Sequence, residues 1–126
     1  MDNNNHYEIY CYQNSNTKET PVIEYIEKLS FKEQVKVTKY IDYLQQNKGY
    51  LDEPYSKHIA GKIRELRVDF SHNKHRIFYF TFIEQKIILL YGFLKKTDKT
   101  PQKEIARALT YLYDCEKNKS FIKYEY

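Results

Sequence analysis

The chain has 126 residues, 41% hydrophobic and 17% aromatic, with 21 Lys+Arg against 17 Asp+Glu for a formal net charge of +4. That length suits one domain, expected to span residues 1–126 with an ordered core at roughly 6–116, and the apolar content excludes wholesale disorder. The longest apolar run, Ile87 to Leu94, is far short of the roughly 20 residues of a membrane span.

Met1 to Asn5 is polar and expected to fray. With neither a basic start nor an apolar stretch, this N-terminus reads as that of a cytoplasmic protein. His6 to Tyr12 alternates and is rich in aromatics, which predicts a strand. Gln13 to Lys18 reads as a turn. Thr20-Pro21 then starts a helix, with Thr20 as cap and Pro21 in the first turn. Val22, Ile23, Ile26 and Leu29 form its apolar stripe. Ser30-Phe31-Lys32-Glu33 has capping-box spacing for a second helix. Val37, Tyr40, Ile41 and Leu44 follow at helical spacing, and Gly49 ends it. The two helices read as a hairpin covering one sheet face.

From Gly61 the period changes to two. Leu66, Val68 and Phe70 point one way, and Glu65, Arg67 and Asp69 the other. Ser71 to Lys74 is a turn. His75 to Ile83 and Ile87 to Leu94 are apolar on both faces, as central strands are, with a turn at Glu84-Gln85. Thr100-Pro101 caps a last helix whose inner stripe is Ile105, Ala108, Leu109 and Leu112. Lys117 to Tyr126 lacks periodicity. The order is β-α-α-β-β-β-α: an α+β fold with a mainly antiparallel sheet, which the first strand must join to satisfy its backbone.

Charge is unevenly spread. Residues 1–54 carry 6 basic against 9 acidic side chains, net −3, while residues 55–126 carry 15 against 8, net +7. All four arginines fall in the second half. Such asymmetry favours an anionic partner on one side of the fold. Arg67, Arg76, Lys95 and Lys96, with Lys57 and His58 in the loop before the meander, can converge on one edge or face. Forked guanidinium groups and lysine charges suit phosphodiester oxygens, and Tyr79 and Tyr91 offer stacking surfaces. The candidate RNA-contacting set is Lys57, His58, Arg64, His75, Tyr91, Lys96 and Lys99.

Such a set can cut RNA without a metal, the ribose 2′-OH attacking its own phosphate. Arg67, Arg76 and Lys95 suit the charge-stabilising role. His58, His75 or a lysine of depressed pKa would move protons. The bland alternative pairs Arg67 with Glu65 or Asp69 and leaves Lys95 and Lys96 as a solvated strand end. No Gly-rich phosphate loop, HExxH or CxxC occurs. His72 and His75, on a turn, do not make a metal site, and no cofactor is expected. Cys11 and Cys115 read as small buried hydrophobes in a reducing compartment rather than a disulfide.

Four ordered segments, Ile63 to Arg67, His75 to Phe80, Leu89 to Thr97 and Lys99 to Ile105, together resemble the HigB branch of the RelE/ParE toxin superfamily, and its phage-derived subgroup in particular. Glu53-Pro54-Tyr55 with Lys57 resembles that subgroup's lead-in to the meander. The resemblance covers roughly residues 6–116. It implies a toxin of a type II toxin–antitoxin system that cuts mRNA in the ribosomal A site. It also implies a HigA-like helix-turn-helix antitoxin and a two-toxin, two-antitoxin assembly. Residue by residue it points to Arg67, Arg76 and Lys95, with Lys96 close behind. Many relatives carry His where this chain has Tyr91 and Tyr where it has His75, so the general base and acid do not transfer. A ParE-like inhibitor of DNA gyrase and a non-catalytic RNA-binding module are the competing readings.

Overall fold

The computed structural model describes residues 6–125, so the expected fraying of Met1 to Asn5 lies outside the described residues. In chain order the elements are β1 (Glu8–Tyr12), α1 (Pro21–Glu27), α2 (Phe31–Gln46), β2 (Ser56–Ala60), β3 (Ile63–Phe70), β4 (Asn73–Phe82), β5 (Lys86–Lys95), α3 (Gln102–Asn118) and β6 (Phe121–Lys123). The strands form one sheet of order β2-β3-β4-β5-β1-β6, and β1 runs parallel to β5 while every other pair is antiparallel. The α+β class, the mainly antiparallel sheet, the helical hairpin and the C-terminal helix agree with the sequence reading, and the architecture is compatible with a RelE-like toxin fold.

Two strands were not anticipated. β2 takes up Lys57 and His58, which the sequence placed in a loop; it is an edge strand with both of these side chains exposed. β6 is only three residues long and pairs with β1 at the opposite edge, through Tyr10↔Lys123, Cys11↔Ile122 and Tyr12↔Phe121. Neither length nor alternation can announce so short an element.

The sheet is buried on both sides, which is why β4 and β5 read as continuous apolar runs. Val22 and Ile26 of α1 and Val37, Ile41 and Leu44 of α2 pack on one face, against Leu66, Val68, Ile77, Tyr79, Ile87 and Leu89. Ala108 and Cys115 of α3 pack on the other, against Ile63, Phe78, Phe80, Ile88, Leu90 and Phe93. Leu109 was expected in that seam but is 43% exposed. The helix instead turns Ile105, Ala108, Leu112 and Cys115 inward, a stripe of i, i+3, i+7, i+10 spacing that fits its period better. Both cysteines are buried and free.

Local signals account for most boundaries. The Ser30 hydroxyl accepts the Glu33 amide at 3.2 Å, and the Glu33 carboxylate takes the Ser30 amide at 3.3 Å, closing the capping box. Thr20 occupies the N-cap of α1 without a side-chain hydrogen bond, and Pro21 follows at the first helical position. The expected Thr100 cap of α3 does not form. Pro101 takes the N-cap position, and the Thr100 hydroxyl donates elsewhere, to Glu65 at 3.1 Å. Gly92 is required by packing: a Cβ there would lie 2.7 Å from Cδ2 and 2.9 Å from Cγ of Tyr25, whose ring α1 lays across β5.

Candidate functional site

Strand register assembles the site. Arg67 of β3 and Arg76 of β4 are direct cross-strand partners, so both side chains leave the sheet on the α3 face. Glu65, two residues before Arg67, shares that face. On β5, Phe93 stands opposite Arg76 and Lys95 opposite Lys74, which adds two more cations beyond the apolar part of the face. Lys57 of β2 stands opposite Glu65 and extends the basic rim to the sheet edge. Arg67, Arg76 and Lys95 are therefore brought together as expected.

Two arginines directly opposite one another repel. Glu65 offsets this: it has no solvent exposure and pairs with Arg67, as the alternative reading of the sequence expects. Its Oε1 lies 3.2 Å from Arg67 Nε and 3.9 Å from Arg76 Nε, and its Oε2 accepts the Thr100 hydroxyl. One carboxylate thus ties both arginines to the segment leading into α3. Arg76 is itself only 5% exposed. Its Nη1 donates to Asp69 Oδ1 at 2.7 Å and to the His75 carbonyl at 3.0 Å, while its Nε is buried with no hydrogen-bond partner. Asp69 is 60% exposed, so its carboxylate covers Arg76 from the solvent side.

Burial lowers the Lys95 pKa below the ordinary lysine value; Glu65 acts against this, and Arg76, Arg67 and Lys74 add to it. A partly exposed amine shifted this way gives up its proton more readily than an ordinary lysine. Lys95 also lines a pocket of about 350 Å³ with Lys74, Lys96, His72, Asn73 and Thr97. Lys96 and Lys99 are exposed on the segment that follows β5.

Three residues of the expected RNA-contacting set lie on the other face: Arg64, His75 and, through its pairing with Arg64, His58. Arg64 and His75 face the helical hairpin, because period two puts them with Leu66 and Val68 rather than with Arg67. Arg64 Nε donates to Ser56 Oγ at 3.0 Å, and its guanidinium lies 4.5 Å from the Tyr50 ring centroid. His75 is 1% exposed and bridges Tyr25 Oη (2.6 Å) to Glu33 Oε2 (2.7 Å). It is a buried strut between the hairpin and the sheet. His58 is exposed on edge strand β2, its Nε2 2.8 Å from the Gly61 carbonyl. Tyr79, considered as a stacking surface, is fully buried, with its hydroxyl 2.7 Å from Ser56 Oγ. Tyr91 is half-buried: its hydroxyl donates to Glu104 at 2.9 Å and accepts Arg107, whose guanidinium lies 5.0 Å from the ring centroid. Burial and then Glu104 push its phenol up to about 12.

Thr100 is the member of this cluster that the sequence does not bring in, while Glu65 and Asp69 enter there only as ion-pair partners of Arg67. Alternation does place Glu65, Arg67 and Asp69 on one face. It carries no information on how far the neighbouring strand and the α3 lead-in close over that face.

Residues 24–112 match the family model described as phage derived protein Gp49-like (DUF891), a stretch that runs from α1 into α3 and contains the whole Glu65–Lys95 cluster. Comparison with curated proteins finds no match.

Proposed function

Since this chain belongs to the phage-derived Gp49-like family, a family of RelE- and HigB-like toxins, we propose that it is the toxin of a type II toxin–antitoxin pair and a ribosome-dependent mRNA endonuclease. The observation that carries this reading is the pair Arg67 and Arg76, opposed across two strands and held by the shielded carboxylate of Glu65, with the pKa-lowered Lys95 beside it.

In the proposed reaction the ribose 2′-OH attacks the adjacent phosphorus. The O2′–P bond forms, the P–O5′ bond breaks, and the products are a 2′,3′-cyclic phosphate and a 5′-hydroxyl. Neutral Lys95 takes the 2′ proton, and the departing 5′ oxygen takes one from water. Arg67 and Arg76 stabilise the charge that builds on the non-bridging oxygens, a role for which fixed donors are worth more than mobile ones. Glu65 has no exposure and engaged oxygens, so it positions the arginines and does not touch the ribose. Asp69 yields its place on Arg76 to the phosphate. No metal enters these steps.

The chain acts as a single toxin domain in the cytoplasm. An antitoxin with a helix-turn-helix domain covers the basic face, and an acidic binding segment would complement it. Induction of the protein, followed by transcript-end mapping in translating and non-translating extracts, tests the class. Cleavage confined to translating extract supports it. Intact transcripts together with inhibition of purified gyrase in a supercoiling assay would replace it with the ParE-like reading.

A further inference from the structure

Beside the arginine pair lies a second feature that phosphate chemistry does not use. Tyr55, in the turn before β2, is 50% exposed, and Tyr43 of α2 is 39% exposed. Tyr40 of α2 meets the Tyr55 ring edge-on at a centroid distance of 6.0 Å and the Tyr43 ring at 5.8 Å. Two pockets share Tyr40 and Tyr55. One, of about 160 Å³, is lined by Lys36, Tyr40, Pro54, Tyr55, Arg67 and Asp69. The other, of about 280 Å³, is lined by Tyr40, Tyr43, Asn47, Leu51 and Tyr55. Arg67 therefore belongs both to the cationic cluster and to the wall of the first pocket. The Arg67 amide also donates to the Tyr55 carbonyl at 2.9 Å, so the backbone of β3 holds the Tyr55 turn beside Arg67.

We propose that this tyrosine slot receives an unpaired nucleobase next to the phosphate held by Arg67, with the base stacked on the open face of Tyr55. The proposal rests on the RNA-cleaving reading above and gives that site a base-binding half. The chemistry of the rim selects the occupant. Lys36 Nζ sits 5.7 Å from the Tyr40 ring centroid and Lys39 Nζ 6.0 Å from that of Tyr43, so cations border the aromatic surface on the helix side, and Arg67 lines the first pocket. A nucleotide brings one flat ring and one negative charge per step and answers both features. An apolar peptide side chain answers only the first. Stacking on aromatic rings accepts any base, so the slot orients the strand without reading sequence.

The test uses a short single-stranded RNA with one 2′-deoxy residue to block cleavage and 2-aminopurine stepped through the positions beside it. With the wild-type protein at low salt, 2-aminopurine fluorescence is expected to be quenched at one position flanking the blocked linkage. Tyr55→Ala should abolish that quenching and weaken binding by roughly tenfold. The dependence of affinity on salt should keep its slope, because no phosphate contact is removed. Tyr55→Trp should restore both quenching and affinity. Equal brightness at every position, or wild-type affinity in Tyr55→Ala, overturns the slot and leaves the exposed tyrosines to a protein partner. Arg67→Ala separates the two levels of the argument. If it lowers affinity and salt slope while Tyr55→Ala changes nothing, only the slot is wrong. If the wild-type protein does not bind the free RNA, the slot is overturned while ribosome-dependent cleavage keeps its own test; if Arg67→Ala binds as tightly as wild type, the phosphate role of Arg67 falls.

Discussion

The Arg67 guanidinium is held by the Glu65 carboxylate, Nε to Oε1 at 3.2 Å, and that carboxylate is wholly shielded from solvent while Arg67 keeps about a fifth of its side-chain surface exposed. The anchor is buried and the working end is open. Glu65→Gln preserves the shape and removes the charge, leaving Arg67 and Arg76 to repel across the strand pair. Thermal unfolding should shift down by up to about 3 kcal/mol of stability. RNA cleavage should fall on the order of 10²-fold, as when one preorganised electrostatic contact is lost. Wild-type cleavage by this variant would remove Glu65 from the account.

Lys95 gives the reaction a pH signature. It acts as a base only when neutral, and its pKa is lowered, chiefly by burial. The single-turnover rate should therefore rise with pH and level off below the ordinary lysine value of 10.5. Lys95→Arg keeps the positive charge but cannot give up its proton, and should flatten the profile at a much lower rate. An unchanged profile in Lys95→Arg would assign proton transfer to another group.

Acid stability should depend on Glu33. Hydrogen bonds from Asn73, His75 and Ser30 hold its carboxyl at about 2, against an ordinary value of 4.5. A depressed carboxylate contributes stability above its unfolded pKa and loses it as pH falls through the folded one. The midpoint of urea unfolding should thus drop between about pH 4.5 and pH 2. In Glu33→Gln this part of the drop should be absent, from a lower starting stability at neutral pH. An identical acid profile in both proteins would count against the Glu33–His75–Tyr25 strut.

Gly92→Ala tests how α1 is seated. The new methyl would meet the Tyr25 ring at under 3 Å, and backing away would loosen the Tyr25 hydroxyl from His75. Overpacking of this kind costs about 1–3 kcal/mol, read as a lower denaturant midpoint with an unchanged slope. A neutral substitution would mean that Tyr25 does not rest on β5.

The legible parts of this fold are those where one local pattern decides the outcome. Ser30 and Glu33 announced α2, and the both-faces-apolar runs announced β4 and β5. Thr20-Pro21 marked the start of α1 even though Thr20 makes no side-chain cap. β2 and β6 were not legible, because a polar edge strand and a three-residue strand leave no period to count. The site was half legible. Period two put Arg67 opposite the core and Arg76 across the turn from it, but the shift between His75 and Arg76 is a single residue, and that residue sends His75 into the hairpin core. The burial of Glu65 depends on closure by Thr100, 35 residues away in sequence. The Tyr55 slot depends on α2 lying beside the turn before β2. Spacing along the chain carries neither relationship.

The most direct measurement of the central claim is the chemistry of the RNA ends. Transcripts cut by the wild-type protein in translating extract should carry 5′-hydroxyl and 2′,3′-cyclic phosphate ends. Cutting should stop when the scissile nucleotide is 2′-deoxy, and should be lost in a variant combining Arg67→Ala, Arg76→Ala and Lys95→Ala. Cleavage that survives the 2′-deoxy substitution, or that the triple variant performs at the wild-type rate, would contradict the account.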